Sequence, residues 1–395
     1  VPLSVGASVL GGLASSRLDN VLVRDEQTAS SVSAGNQVFQ RLSMFSYSAM
    51  VKPGADAEAV AKRMDAVLAD LIANGPTQDE IDRVVTQFAS RRIQGLETAN
   101  GKASVLAEGQ LYANDPDFYK KELAAYAAVT PAQVQAAMKK WLSRPVYSQI
   151  VVPGEREAYA DAAAAPSGAT PTPAAPIQRV AREAAPAIGD VSNVDFPSVE
   201  RAALSNGIEV VYARSATVPV TRVALEFDAG VAADRADRLG ALSLMLNVMQ
   251  EGTTTRDSKA LAEAQERLGA SVTVGSSMDR TTASLSTVST NLEPSLTLLS
   301  DVVRNPAFAP SEVERLRAVR LAALANEKTQ PAAIAGRALP PLIYGEGHPY
   351  GRSFSGTGDE AVIRSLTRAD LVADHAAWIR PDNAKLFVVS DLPFA

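Results

Sequence analysis

The sequence predicts an α+β protein built from two modules joined by a long linker. The chain has 395 residues, of which 46% are hydrophobic and 21% are charged, and this is enough for two or three domains with cores of their own. Strand-like and helix-like segments precede an Ala/Pro-rich stretch and begin again after it. That stretch, residues 158–195, is too poor in large apolar side chains to offset the entropy of ordering. We therefore divide the chain into a first module (1–157), a linker (158–195) and a second module (196–395).

Local signals in the first module predict strands followed by several helices. The apolar residues of 57–74 have helical spacing, and Thr77 with Glu80 matches a capping box at the start of the next helix. Thr130-Pro131 opens a further helix that runs towards Trp141. The compositions of 32–51 and 148–152 are typical of strands.

The second module starts again with strand signals and ends on a strand. Asn206-Gly207 indicates a turn that leads into a strand, and the alternation in 221–229 is that of a half-buried strand. Further segments are predicted as follows: helices over 239–249, 258–268, 292–304 and 311–327, a strand hairpin over 271–274 and 281–289, and a final strand over 385–389.

Composition excludes several classes of function. Lys and Arg number 38 against 44 Asp and Glu, a formal net charge of −6, and aromatic residues make up 5%. A nucleic-acid-binding protein would normally show a basic face, so we expect no nucleic-acid partner. There is no cysteine, and the two histidines lie far apart, which excludes thiol nucleophiles, disulfides and a histidine-rich metal site. No apolar run reaches the roughly 18 residues that a membrane span needs.

The second module resembles the N-terminal module of the pitrilysin/insulinase-type zinc peptidases, the M16 family, which includes the processing peptidases. Its matching segments, in family order, are 204–207, 223–230, 240–253, 305–308, 348–351 and 380–384. The first module resembles the C-terminal module of the same family through residues 10–18 and 22–25. The resemblance implies two LuxS/metallohydrolase-like α/β-sandwich modules, each with a mixed or antiparallel sheet and helices on one face. They would be modules two and three of a four-module chain, with both outer modules and the first strands of module two missing.

Active members of this family carry His-x-x-Glu-His on a helix. Two histidines four residues apart can reach one Zn²⁺, and the glutamate between them acts as general base. The resemblance places Ser243, Leu246 and Asn247 at these three positions. A hydroxyl and a neutral amide are poor zinc ligands, and leucine takes no proton. The third ligand position falls near Ala323, with Glu327 one turn further on. We therefore expect no catalytic residue and no metal in this chain, and zinc only in the full-length protein or a partner.

The first module also lacks a complete substrate-holding pair. In the family an Arg is followed seven residues later by a Tyr, and here Arg24 is followed by Ser31. Arg24 remains a candidate substrate-binding residue. Gly11 and Gly12 are two further candidates, because glycine-rich segments recognise substrate in the non-catalytic processing-peptidase subunit. A helix C-cap explains the two glycines equally well and is the preferred interpretation.

The remaining polar candidates have simple structural explanations. We expect His348 to be a loop residue and His375 to be a partly exposed packing residue on a helix. The charged segment 312–320 is most simply a solvated helix face with i,i+3 and i,i+4 ion pairs. Ser15-Ser16 is rejected as a nucleophile, because nothing in the sequence places a histidine beside it.

Two functional hypotheses follow from the resemblance. The first is that the chain is the non-catalytic middle portion of a zinc metalloendopeptidase and walls the chamber that encloses unfolded peptide substrates. The alternative is an inactive pseudo-peptidase subunit that scaffolds or binds substrate for a separate active M16 partner. A plain binding protein unrelated to proteolysis ranks last.

The expected partners and location follow from the same hypotheses. The partners would be peptides, together with the flanking M16 modules or an active M16 subunit. The absence of cysteine and the Ala/Pro/Thr-rich linker suit a bacterial cell envelope or periplasmic protein. A sheet without its first strands would leave a bare edge that can pair with another chain.

Overall fold

The computed structural model describes residues 1–152, Gly154, Gly189 and residues 196–394. Val1–Val146 and Pro197–Ala395 form one compact unit, and Tyr147–Phe196 form a second. Apart from Gly189, the predicted linker over 158–195 lies outside the described residues. None of the described helices is long and apolar enough to cross a lipid bilayer.

The first part of the chain consists of a two-stranded sheet and a set of helices. The elements are α1 (Pro2–Ala7), which continues as a π-helical turn (Ser8–Gly12), a second π-helical segment (Asp19–Asp25), β1 (Ala29–Val38), β2 (Ser43–Val51), α2 (Ala57–Asn74), α3 (Gln78–Gly95), α4 (Ala99–Ala113), α5 (Phe118–Ala127) and α6 (Pro131–Leu142). β1 pairs antiparallel with β2. α3 and α6 begin where Thr77 and Thr130-Pro131 predicted, and both threonines form capping boxes. α2 covers the residues whose apolar spacing predicted a helix.

The second part is built on a six-stranded mixed sheet. Its elements are β3 (Val199–Ala203), β4 (Glu209–Arg214), β5 (Val220–Phe227), α7 (Ala241–Met249), α8 (Ser258–Leu268), β6 (Ser271–Ser276), β7 (Thr281–Val288), α9 (Leu292–Arg304), α10 (Pro310–Glu327), α11 (Pro331–Tyr344), α12 (Glu360–Ser365), α13 (Arg368–Trp378) and β8 (Ala384–Ser390). The strand order is β3-β4-β8-β5-β7-β6, in which only the β4–β8 pair is parallel. This is the α+β class with a mixed sheet, as predicted.

Each part of the chain has its own hydrophobic core. The first core is formed by residues between Val5 and Met138, the second by residues between Val223 and Leu371. In the second, alternate residues of β6 and β7 are buried, and α7 and α9 pack against these strands. α7 is buried on most of its surface, so it lies at the centre of the second core.

One predicted strand is wrong. Residues 148–152 have no regular secondary structure, and their side chains are exposed. A β-branched composition favours extended backbone, but a strand forms only where a neighbour accepts its hydrogen bonds and one of its faces is buried. Composition alone does not show whether a hydrogen-bonding neighbour and a buried face are present.

Candidate functional site

The helix that corresponds to the zinc-binding helix of the family is α7. Asp234 caps its start, because the carboxylate accepts hydrogen bonds from the backbone N–H groups of Gly240 (2.6 Å) and Leu242 (3.0 Å). Burial is the main cause that raises the pKa of Asp234 to about 6, against the lowering effect of these two bonds. The helix ends at Met249, shortly before Gly252, whose φ of +128° favours glycine.

The three positions of the degenerate zinc motif do not share one environment on α7. Ser243 is half-buried and Asn247 is exposed, and their spacing of four residues puts them on one face of the helix. Leu246 is 1% exposed and belongs to the second core. The position of the general base is therefore packed among apolar side chains, where it can neither meet water nor take a proton.

The position expected for the third zinc ligand is also occupied differently. On α10, Ala323 has no ligating atom in its side chain. The carboxylate of Glu327 accepts hydrogen bonds from the Arg337 guanidinium (2.7 Å) and from the Thr357 hydroxyl (3.1 Å). Glu327 thus links α10 by hydrogen bonds to α11 and to the segment that follows α11. Within the described residues no three His, Cys, Asp or Glu side chains lie close enough to hold a metal ion. The residues at the degenerate motif do not fit a zinc ion.

Both histidines have structural partners. The Nδ1 atom of His348 accepts a hydrogen bond from the backbone N–H of Tyr350 at 3.1 Å, and the His348 ring stacks on Tyr344. The Nε2 atom of His375, on α13, lies 2.9 Å from the carbonyl oxygen of Val303, and its ring meets Phe308 edge-on. These placements are those of a loop residue and a packing residue.

Arg24 lies where the first part of the chain contacts the second. Its guanidinium donates to the Asp19 carboxylate (2.8 Å) and to the carbonyl oxygen of Ala14 (3.1 Å), and it contacts Ser258 of α8. The carboxylate of Glu251 is 3.6 Å away. The guanidinium is therefore engaged within the chain on several sides, and a substrate-binding role for Arg24 stays a prediction.

Gly11 and Gly12 form the end of the π-helical turn, but neither has the positive φ of a left-handed cap. Gly11 instead lies against β1: a Cβ atom added there would be 2.8 Å from the backbone nitrogen of Ala34. At Gly12 the nearest atoms to an added Cβ are 3.5 Å away. Close packing of helix on strand thus explains Gly11, and neither this packing nor a cap explains Gly12. Its substrate-binding role, like that of Gly11, remains a prediction.

Ser15 belongs to a buried network between the two parts of the chain. Its backbone N–H donates to the carboxylate of Glu266 on α8 at 3.0 Å, and its hydroxyl contacts the same carboxylate and the Arg83 guanidinium. Arg83 of α3 is itself 2.7 Å from Glu266. The network explains Ser15 without any nucleophilic role.

The charged segment 312–320 of α10 is not the solvated face that the sequence predicted. The i,i+3 pairs Arg315–Glu312 and Arg317–Glu314 are present, but Arg315 and Arg320 are 7% and 9% exposed. Their burial follows from contacts with other elements. Arg315 reaches Glu251 at 2.7 Å, and Arg320 donates to the carbonyl oxygen of Gly356 at 3.4 Å. The spacing of charges along α10 predicts ion pairs within the helix. It gives no signal for contacts with residues distant in sequence, such as Glu251 and Gly356.

A surface cavity among the described residues lies elsewhere. It has a volume of about 820 Å³ and is lined mainly by α9, with Thr255, Arg256 and Leu392 at its margin. None of the degenerate motif positions, nor any residue of α10, lines it. The depression is open and brings together no set of groups suited to acid–base or nucleophilic chemistry.

Comparisons with known proteins match both parts of the chain to one family. The family model described as insulinase (peptidase family M16) matches residues 209–357, and the model described as peptidase M16 inactive domain matches residues 1–88. Together the two matches cover more than half of the chain.

Curated relatives are about a quarter identical to this chain over the aligned residues. A probable mitochondrial-processing peptidase subunit beta of Schizosaccharomyces pombe is 30% identical over 182 residues, which are 45% of this chain and 38% of that protein. Cytochrome b-c1 complex subunit 1 of Bos taurus is 27% identical over 44% of this chain and 36% of its own length. An uncharacterized zinc protease of Mycobacterium leprae is 24% identical over 49% of this chain and 42% of its own. The chain thus spans less than half the length of these relatives.

Two solved structures are also similar to parts of this chain. A peptidase M16 inactive domain from Pseudomonas fluorescens has a TM-score of 0.47 at 29% identity, covering 50% of this chain and 47% of that one. The periplasmic protease PqqL from Escherichia coli has a TM-score of 0.46 at 19% identity, covering 52% of this chain and 23% of that one. On the two sequence-family matches, this chain belongs to peptidase family M16.

Proposed function

We propose that this chain is a non-catalytic portion of an M16 zinc metalloendopeptidase and that it forms part of the wall around an unfolded peptide substrate. The observation that carries the proposal is the set of side chains at the zinc-motif positions of α7. Leu246 is packed in the core where a general base would have to meet water, and the ligand positions carry Ser243 and Asn247. Catalysis and zinc binding would then belong to other modules of the complete gene product.

A second candidate function is that of a pseudo-peptidase subunit that supports a separate active M16 partner. The names of two relatives favour it, because a processing-peptidase subunit beta and a cytochrome b-c1 complex subunit are both components of larger assemblies. The degenerate α7 is equally compatible with either function. In both, the immediate partners would be peptides and other M16 modules.

We also propose a bacterial cell envelope or periplasmic location. The support is compositional: the chain lacks cysteine, and its linker is rich in Ala, Pro and Thr. Fractionation of the source cell with an antibody against the second module would test it, and recovery in the cytosolic fraction would contradict it.

Hydrolysis of unstructured peptides tests the proposed function. The complete gene product and this chain are each purified, loaded with zinc, and assayed on quenched fluorescent peptides that lack stable structure. We expect the complete product to cleave and to lose activity with a chelator, and we expect this chain to be inactive. Zinc-dependent cleavage by this chain would overturn the proposal.

The same assay separates the two candidate functions. A complete gene product that neither cleaves peptides nor binds zinc would favour the pseudo-peptidase. That function further requires an active M16 subunit to co-purify with the product from its source cell. Failure to recover such a subunit would contradict it.

A further inference from the structure

The surface cavity beside α9, which we call the α9 cavity, has the volume of a ligand site. It measures about 820 Å³, within the range of roughly 300–1,000 Å³ that is usual for small-molecule sites. Two adjacent rows of side chains on α9 line it: Leu292, Leu296 and Ser300 in one row, and Glu293, Thr297 and Asp301 in the other. Residues four positions apart lie on one face of a helix, so the cavity follows α9 for about two turns.

One end of the α9 cavity presents a guanidinium with a free edge. Arg256 lines the cavity, and its Nη1 atom is 3.0 Å from both the Asp301 carboxylate and the Thr255 hydroxyl. Within the described part of the chain its Nε and Nη2 atoms make no hydrogen bond, and the side chain is 35% exposed. These two nitrogens form one edge of the planar guanidinium, and such an edge donates two parallel hydrogen bonds to a carboxylate. This end of the cavity can therefore bind a carboxylate.

The Asp301 carboxylate leaves that edge of Arg256 free. It is 8% exposed, and it also accepts hydrogen bonds from the hydroxyls of Thr253 and Thr255 (both 2.7 Å) and from the Asn305 amide (3.0 Å). Burial raises the pKa of Asp301, but these hydrogen bonds lower it below its usual value. Asp301 is therefore ionised at neutral pH and holds the guanidinium through Nη1 alone.

The other end of the α9 cavity carries a carboxylate. Glu293 lies in the first turn of α9, is exposed, and forms no ion pair with any residue that the structure describes. Eight positions separate Glu293 from Asp301, which is a rise of about 12 Å along the helix. An extended peptide spans at most about 3.3–3.6 Å per residue. The ammonium and carboxylate of a peptide of three or four residues are therefore about as far apart as the two charged ends of the cavity.

Between its charged ends the α9 cavity offers apolar contacts and a free hydroxyl. Leu296 and Leu392 are 39% and 38% exposed, and the exposed Ser300 hydroxyl has no hydrogen-bond partner among the described residues. Leu392 is held in place, because its backbone N–H donates to the Ser390 hydroxyl (3.1 Å) and its carbonyl accepts from the Tyr212 hydroxyl. This wall of the cavity is therefore formed before any ligand binds.

We infer that the α9 cavity binds a short peptide with free amino and carboxyl ends, with its carboxylate on Arg256 and its ammonium beside Glu293. The exposed leucines would contact its side chains, and the Ser300 hydroxyl would meet its backbone. The choice of a peptide rests on the proposed function, because peptide hydrolysis yields fragments with both ends free. The match to two opposite charges does not depend on that function. None of the degenerate motif positions lines this cavity.

Binding of matched alanine peptides to this chain tests the inference. Tetra-alanine with both ends free is compared with its N-acetylated, C-amidated and doubly capped forms. Dialanine is included because it is too short to reach both ends of the cavity. Affinities are measured by calorimetry at constant ionic strength, without zinc. We expect each single cap, and the shortening to dialanine, to weaken binding by about fivefold, which is the upper value for a partly exposed ion pair.

A probe without peptide groups tests the choice of ligand. 8-Aminooctanoate carries an ammonium and a carboxylate about as far apart as those of the tetrapeptide, but it has no amide groups or side chains. We expect it to bind more weakly than tetra-alanine, because it makes none of the hydrogen bonds of a peptide backbone.

Two variants separate the two ends of the cavity. Glu293→Gln should lose the preference for a free amino end and keep the preference for a free carboxylate. Arg256→Lys keeps a charge beside Asp301 but has no guanidinium edge, so it should show the opposite pattern. Arg304→Met, at an exposed arginine of α9 that does not line the cavity, is the control and should bind as the parent does. Because Glu293 is exposed, its variant still decides the test should Arg256→Lys not fold.

Three results would overturn the inference. One is equal affinity of the parent chain for free and doubly capped tetra-alanine. The second is an unchanged preference for both free ends in the folded variants. The third, equal binding of 8-aminooctanoate and tetra-alanine, would overturn the choice of a peptide. None of them bears on hydrolysis by the complete gene product, since these measurements involve neither zinc nor cleavage. Failure of this inference is therefore distinguishable from failure of the proposed function.

Discussion

The guanidinium of Arg83 lies 2.7 Å from the carboxylate of Glu266, although 183 positions of sequence separate the two residues. Their side chains are 5% and 6% exposed, so this is a buried ion pair between α3 and α8. The hydroxyl of Ser90 on α3 also donates to the carbonyl of Gly269, the residue that follows α8, at 2.6 Å. Beyond α8, Gln94 of α3 reaches Ser286 of β7. One face of α3 therefore binds the first part of the chain to the second.

Loss of the Glu266 charge is predicted to weaken this contact strongly. Glu266→Gln leaves the buried Arg83 guanidinium with only the half-exposed Asp79 carboxylate, 2.9 Å from its Nε atom, as a counter-charge. This should lower the free energy of unfolding by up to about 3–5 kcal/mol. Urea unfolding followed by circular dichroism measures this change in the free energy of unfolding. The control is Arg267→Ala, because the Arg267–Asp79 pair between the same helices is 47% exposed on both sides and should contribute at most about 1 kcal/mol. Similar losses in the two variants would contradict the account.

The double replacement Arg83→Met with Glu266→Leu extends this test. Two apolar side chains of similar volume remove both charges together, so no uncompensated charge stays buried. We expect the double variant to be more stable than Glu266→Gln alone. Additive losses in a double-mutant cycle would show that the two residues do not act as a pair.

The two neighbouring glycines of the first part are predicted to differ. Gly11→Ala would place a methyl group 2.8 Å from the backbone of Ala34, which must shift, so the free energy of unfolding should fall by about 1–3 kcal/mol. Gly12→Ala meets only ordinary contacts at 3.5 Å and should be neutral or slightly stabilising. Thermal unfolding of the two variants checks this. If Gly12→Ala lowered the stability and Gly11→Ala did not, the close packing of Gly11 against β1 would be contradicted.

Leu246 is predicted to tolerate no carboxylate. Leu246→Glu, which restores the family's general base, would bury an ionisable group in the second core and should lower the free energy of unfolding by about 3–5 kcal/mol. Asn247→Glu, at the adjacent exposed position, should change it by no more than about 0.5 kcal/mol. Urea unfolding compares the two, and equal stability would show that Leu246 is not part of the core.

Asp234 is predicted to make stability fall as the pH rises from about 4 to about 6. Its pKa is about 6 in the folded chain, raised mainly by burial, against a usual value of 3.8. In this pH range the folded state holds a proton that the unfolded state has lost. Folding therefore takes up a proton, and the free energy of unfolding falls as the pH rises, by up to about 3 kcal/mol. Asp234→Asn should remove this slope from the unfolding free energy. Asp237→Asn, at an exposed carboxylate nearby, should retain it, and a slope that persists in Asp234→Asn would refute the assignment.

Local structure was predictable where a single segment contains the whole signal. Thr77 and Thr130 each carry their capping partner three residues on, and Gly269 ends α8 with a left-handed φ of +59°. The apolar spacing of 57–74 specified α2 to the residue. Each of these elements depends on contacts within one or two turns, which the sequence displays directly.

The prediction failed where a distant partner decides the outcome. Residues 148–152 have strand composition but form no strand, because composition does not supply a hydrogen-bonded neighbour. Arg315 and Arg320 have the spacing of a solvated face of α10, yet both are buried in the folded chain. The pairing of Arg83 with Glu266 had no sequence signal at all. At the site, the degenerate motif was recognisable from its positions, whereas the contact of Arg320 with Gly356, 36 residues away, was not.

Zinc binding by this chain tests the central claim most directly. The purified chain, stripped of metal by chelator, is titrated with Zn²⁺ in competition with a chromophoric zinc indicator and then dialysed for elemental analysis. Because Ser243, Leu246 and Asn247 supply neither the ligands nor the base, we predict no stoichiometric zinc after dialysis and no peptide cleavage by the loaded sample. One retained equivalent of zinc, together with cleavage that a chelator abolishes, would contradict the account.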